Sequence, residues 1–95
     1  MYISEWEWDD SNEAELTYHG CSRRIVEQVW LERPKYRRNK HHRAASHQMI
    51  GPDKGGTIWT ICIIQSSFEP GLWRAITGWR ATAPDVTWYE QRSRT

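Results

Sequence analysis

Residues 57–65, Thr-Ile-Trp-Thr-Ile-Cys-Ile-Ile-Gln, constrain the fold more than any other stretch. They are rich in β-branched side chains and apolar at both even and odd positions. A strand with one wet face alternates between apolar and polar, and this one does not. It therefore predicts a central strand covered on both faces. A chain of 95 residues that is 38% apolar supplies one modest core, so a single domain over 1–95 is expected. No stretch approaches the ~20 apolar residues of a membrane helix. The opening Met1-Tyr2-Ile3-Ser4-Glu5 lacks the basic and apolar regions of a secretory leader, so none is expected. Cys21 and Cys62 are the only cysteines, which predicts reduced thiols and a cytoplasmic location.

The remaining elements follow from local signals. Tyr2 to Trp8 alternates loosely and reads as a short strand or extended arm. Asp9 or Ser11 can cap a helix over roughly 10–19, which Gly20 closes. Ser22 can cap a second helix, whose Ile25, Val26, Val29 and Trp30 form a compact apolar stripe, and Pro34 stops it. Residues 44–50 and 72–80 read as strands, separated from the central strand by Gly/Pro turns. Thr82, Pro84 and Asp85 open a last helix. The expected fold is α+β. A small antiparallel sheet, built as a meander of three or four strands, packs with an N-terminal αα-hairpin and a C-terminal helix. The helices are expected to cover one face of that sheet.

Net charge is only +1, but its distribution is uneven. Residues 1–16 carry Glu5, Glu7, Asp9, Asp10, Glu13 and Glu15 and no basic side chain. Residues 33–43 carry Arg33, Lys35, Arg37, Arg38, Lys40 and Arg43, with His41 and His42, and no acid. Such segregation creates a strong local field. Cations interleaved with Tyr36 suit phosphate contact and base stacking. The same run is equally readable as a solvated loop, or as a surface for an acidic protein partner.

An ordered set of residues resembles a known family. Trp8-Asp9, Asn12, Leu16, His19-Gly20, then an amphipathic helix, Ile50-Gly51, Gly55-Gly56 and the strand Trp73–Ala81 are similar to the pattern of BrnT toxins of bacterial type II toxin–antitoxin systems. Tyr89 matches a tyrosine of the family's closing helix. The chain departs from the pattern at Tyr18, where the family has Lys, and at Gly78-Trp79-Arg80, where it has Ala-Arg-Arg. The family's Arg before the Ile-Gly strand has Arg43 as its nearest counterpart. The resemblance implies a RelE-like fold and metal-independent endoribonuclease activity, with no cofactor. It also implies neutralisation by a cognate antitoxin with a ribbon-helix-helix domain, in a homodimer or a hetero-oligomer with that antitoxin.

Cleaving RNA without a metal requires a base for the 2′-hydroxyl, an acid for the leaving oxygen and cations for the phosphorane. Arg74 and Arg80 share one parity of their strand and could hold phosphate on an open face, with Gly78 leaving room for a backbone. A bulge at Gly78 would break that register. Both arginines are equally readable as surface residues paired with acids. His47 could act as acid or base, or sit half-buried in its strand. Tyr89 is an auxiliary candidate. Lys35, Tyr36, Arg37, Arg38, Lys40 and Arg43 are the candidates for RNA binding. His19 reads as a helix-end cap, the cysteines as inert, and the histidine pairs as lacking metal-ligand spacing. The alternative function is a non-catalytic protein-binding or regulatory module. Seven tryptophans exceed what so small a core can hide, so it would act through a Trp-rich surface.

Overall fold

The computed structural model describes residues 1–40 and 44–92. The elements run β1 (Glu5–Trp6), α1 (Asp10–Tyr18), α2 (Arg23–Leu31), β2 (Lys35–Arg38), β3 (His47–Pro52), β4 (Ile58–Gln65), β5 (Leu72–Arg80) and α3 (Ala83–Arg92). The protein is α+β, with a five-stranded sheet in the order β1-β5-β4-β3-β2. Strands β2 to β5 form the expected antiparallel meander. The sheet is nevertheless mixed, because β1 returns the chain's start to the far edge and pairs parallel with β5.

Local chemistry sets the helix ends. Asp9 caps α1 by accepting from the Asn12 amide, and the Asn12 side chain accepts in return from the Asp9 amide. Gly20, at φ +77°, closes α1 in the left-handed region. There Cys21 N–H reaches Leu16 O and Gly20 N–H reaches Thr17 O, satisfying carbonyls that the helix leaves open. Ser22 caps α2 through the Ile25 amide. Val26 and Val29 are fully buried, and Ile25 and Trp30 pack beside them. Beyond α2, Arg33 takes φ 58° before Pro34 turns the chain into β2.

Strand β4 is buried at both parities, as its composition requires. One face, with Trp59, Ile61 and Ile63, joins Met49, Trp73 and Ala75 under Leu16, Val26 and Val29 of the helical hairpin. The other face carries Thr60 and Cys62, and α3 reaches it through Asp85, which accepts from Thr60 Oγ1 at 2.8 Å. Helices thus lie on both faces, not on the single face expected. An alternation-free strand leaves two apolar surfaces to cover, and α3 is the element the chain has left for the second.

Register breaks once. Cys62 pairs with Thr77 and Ile63 with Ala75, which leaves Ile76 as the extra residue of a β-bulge. The bulge inverts side-chain parity along β5. Arg74 faces the same side as Ile64, and Arg80 the same side as Trp59. Gly78 does give room to a neighbour, but the neighbour is internal. A Cβ there would lie 3.0 Å from Cys21 Sγ and 3.3 Å from both Ile61 and the Thr60 carbonyl.

Two substitutions test this packing. Gly78→Val should cost about 1–3 kcal/mol by forcing the α1–α2 turn at Cys21 away from the sheet. Asn12→Ala should cost about 2–3 kcal/mol, because the Ala75 carbonyl and the Asp9 amide lose a buried partner. Chemical denaturation should show both as lowered midpoints.

Candidate nucleic-acid interface

Edge strand β2 presents the basic run, and its pairing with β3 decides where each side chain goes. Tyr36 lies opposite Met49, Arg37 opposite Gln48 and Arg38 opposite His47. Tyr36 and Arg38 therefore share the hairpin side of the sheet, and Lys35 and Arg37 the α3 side. Tyr36 packs against the core, and burial pushes its phenol pKa up. It does not line the groove that its neighbours form. That groove, of ≈ 500 Å³, is lined by Arg37, Arg38, Asn39, Lys40 and Gln48.

Arg37 is held rigidly at the groove wall. Its Nε donates to Gln48 Oε1 at 2.7 Å and its NH2 to Asp85 Oδ1 at 2.6 Å. The Trp88 ring lies 4.8 Å from the guanidinium carbon. The Asp85 carboxylate also offsets the Arg37 charge, so the arrangement supplies a planar donor with little freedom left to lose, not an unpaired cation. Gln48 is oriented in turn by donating to Asn39 Oδ1 at 3.4 Å.

Arg38 is exposed and directly opposite His47. Side chains of such a pair sit ~5 Å apart at Cβ. His47 is half-buried, with Nδ1 2.8 Å from Ser46 Oγ and its ring edge-on to Trp73 at 5.7 Å. Burial lowers its pKa, and the Arg38 charge lowers it further. The imidazole is therefore neutral at pH 7 and able to take up a proton. A neutral base opposite an exposed guanidinium is an arrangement suited to a phosphodiester. Of the two, only Arg38 lines the groove; His47 faces the hairpin side, away from Arg37 and Gln48.

The other sequence candidates lie elsewhere. Arg74 is on the opposite edge of the sheet, bound to Asp9 at 2.8 Å and Glu7 at 3.3 Å. Those acids raise its pKa and offset its charge. It lines a separate groove of ≈ 690 Å³ between α1 and β5, together with Glu15, Ile76 and Thr77. Arg80 sits at the far end of β5 opposite Trp59. The expected common face for Arg74 and Arg80 does not form, because the bulge at Ile76 turns them to opposite sides. Tyr89 donates from its hydroxyl to the Arg33 carbonyl at 3.0 Å, pinning α3 to the α2–β2 link. Lys35 lies at the start of β2, outside the groove lining. Lys40 lines the groove, and Arg43, His41 and His42 lie outside the described residues.

His19 pairs with Glu15 at 2.9 Å rather than turning its ring to the helix carbonyls. Cys21 and Cys62 are buried and unbridged, and burial pushes the Cys21 thiol up to about 12. Among the described residues no cluster of His, Cys, Asp and Glu could hold a metal ion. No helix among them is long and apolar enough to cross a membrane. The tryptophans divide between core and surface. Trp6, Trp59 and Trp73 are buried, and Trp8, Trp30, Trp79 and Trp88 are half-buried.

Five members of the site escaped the sequence reading: Asn39, Ser46, Gln48, Asp85 and Trp88. Asp85 carries a visible signal, but only as a first-turn helix acid, and its reach to Arg37 depends on which face α3 covers. The chain matches no protein-family model and no curated protein.

The His47 environment has a measurable consequence. Its folded pKa lies below the ordinary value, so the unfolded chain binds the proton more readily. The associated stability is complete above about pH 6.5, the ordinary histidine pKa, and falls as pH drops through that value toward the folded pKa. His47→Gln should flatten this limb in urea titrations at pH 5, 6 and 8. An unchanged pH dependence would show that His47 is not the group responsible.

Proposed function

We propose that this protein is a BrnT-like toxin that binds and cleaves RNA at the β2–β3 corner. The observation that carries this reading is the direct juxtaposition of Arg38 and His47 beside the groove of Arg37, Lys40 and Gln48. The antiparallel four-strand run between an N-terminal helical hairpin and a C-terminal helix supports a RelE-like fold. Arg37 and Lys40 hold the RNA backbone, and Arg38 stabilises charge on the phosphate under attack. His47 takes the 2′-hydroxyl proton as that oxygen bonds to phosphorus, and the departing 5′ oxygen takes a proton from water. Arg74 and Tyr89 take structural roles in this reading, through Asp9 and Glu7 and through the Arg33 carbonyl, and Arg80 lies away from the corner. The cognate partner in this reading is an antitoxin with a ribbon-helix-helix domain, acting in the cytoplasm. The alternative, a non-catalytic binding module acting through a Trp-rich surface, would have the half-buried Trp8, Trp30, Trp79 and Trp88 to work with.

The test is inducible expression in a bacterial host, paired with RNA cleavage by the purified chain. Wild type should arrest growth and degrade RNA in the presence of a chelator. His47→Gln should lower cleavage by about 10²–10⁴-fold with RNA affinity retained. Arg38→Ala should lower both cleavage and affinity. Soluble wild-type protein that neither binds nor cuts RNA would overturn the proposal.

A further inference from the structure

Two large aromatic side chains stand out in solvent at the same end of the sheet as the Arg38–His47 pair. Tyr2 is 73% exposed and Phe68 is 80% exposed. Exposed rings of this size are unfavourable to leave in water. Tyr18, at 83%, is equally exposed but stands at the end of α1 beside the separate Arg74 groove.

Their positions are fixed by the backbone. The Tyr2 ring lies against Gly71, where an added Cβ would come within 3.0 Å of it. The Tyr2 carbonyl accepts from Trp73 Nε1 at 3.1 Å, and Ser4 Oγ donates to the Gly71 carbonyl at 3.0 Å. Phe68 projects from the 66–71 turn, whose base is closed by Ser66 N–H to Leu72 O at 2.7 Å. Its own amide donates to Ser66 Oγ at 3.2 Å. Both rings are thus mounted on the β4–β5 turn.

That turn is continuous with the catalytic corner. Trp73 touches Tyr2 on one side and the His47 ring, 5.7 Å away, on the other. His47 is in turn opposite Arg38. Crossing the sheet end from β2 to β5 covers three strand spacings, about 14 Å. That end of the sheet carries the exposed Arg38 and the half-buried His47 at one side and, beyond the buried Trp73, the exposed Tyr2 and Phe68 at the other. Cations that track a backbone, next to aromatic faces that accept unstacked bases, are the two halves of a single-strand binding surface. A duplex keeps its bases inside and could use only the cations.

We propose that Tyr2 and Phe68 are base-stacking platforms that extend the RNA site across this end of the sheet and select single-stranded RNA. This rests on the RNA reading of the β2–β3 corner and adds its substrate class.

The experiment is fluorescence anisotropy with the full chain over a range of salt concentrations. The probes are 2′-O-methyl RNA strands, which cannot be cleaved, of roughly 12 nucleotides, as a single strand and as a duplex. Tyr2→Ala/Phe68→Ala should weaken single-strand binding by about 10- to 100-fold, with the salt slope unchanged and duplex binding unchanged. Tyr2→Phe/Phe68→Tyr, which keeps both rings, should bind like wild type. Arg38→Ala/Lys40→Ala should instead reduce the salt slope by about two for both probes. Wild-type single-strand affinity in the ring-deleted variant would overturn the inference and leave the cationic corner standing, with the rings free for a protein partner. Equal losses on both probes would also overturn it. A wild-type protein that binds neither probe would bring down the RNA reading itself.

Discussion

A single buried amide ties the first part of the chain to the sheet. Asn12 is 4% exposed, yet its side chain makes three hydrogen bonds. Its oxygen accepts from the Asp9 amide, and its nitrogen donates to the carbonyls of Glu7 and Ala75. One residue thereby caps α1, holds the end of β1 and satisfies an edge carbonyl of β5. An apolar replacement would leave those backbone groups buried and unmatched, at a cost that a domain of this size has little stability to absorb. The position of α1 follows from it. So does the burial of Leu16, and with that the hairpin that covers the first face of β4.

Burial of β4 on two sides then propagates outward. Its hairpin face is filled by aliphatic and indole groups, while its α3 face carries Thr60 and Cys62, joined by Gln48 of β3 in a hydrogen-bonded layer. Asp85 and Arg37 complete that layer. The aspartate that docks α3 is the same group that orients an arginine at the groove. Attachment of the last helix and preparation of the cationic wall are therefore one energetic event, and a change at Thr60 or Asp85 would be felt at Arg37.

The sequence made most of the architecture readable. Asp9, Gly20, Ser22 and Pro34 mark helix ends by side-chain and backbone chemistry that acts over a few residues. The two-faced apolarity of 57–65 identifies the central strand. What it concealed depends on longer range. Nothing local in Leu72–Arg80 announces that Ile76 will bulge, and that one insertion separates Arg74 from Arg80. The parallel pairing of β1 with β5 is a contact across some 67 residues, outside any periodicity. The candidate site was legible in its charges, because Arg37, Arg38 and Lys40 form a one-signed run, and His47 was legible as a titrating group. Their meeting required the β2–β3 register. Tyr2 and Phe68 gave no signal, since an isolated aromatic residue near a turn reads as ordinary until the fold shows where it stands.

Among the described residues, strand β2 has no neighbour on its outer side. Its backbone groups there are an invitation to any other extended chain, and the usual outcome is sheet-to-sheet growth between molecules. Lys35, Arg37 and Arg38 line this border with like charge, so two copies brought together along it repel. The residues that would greet a polyanion are thus also the ones that keep the protein from polymerising through its own hydrogen bonds. Trading them for neutral side chains would remove the repulsion that opposes edge-to-edge association.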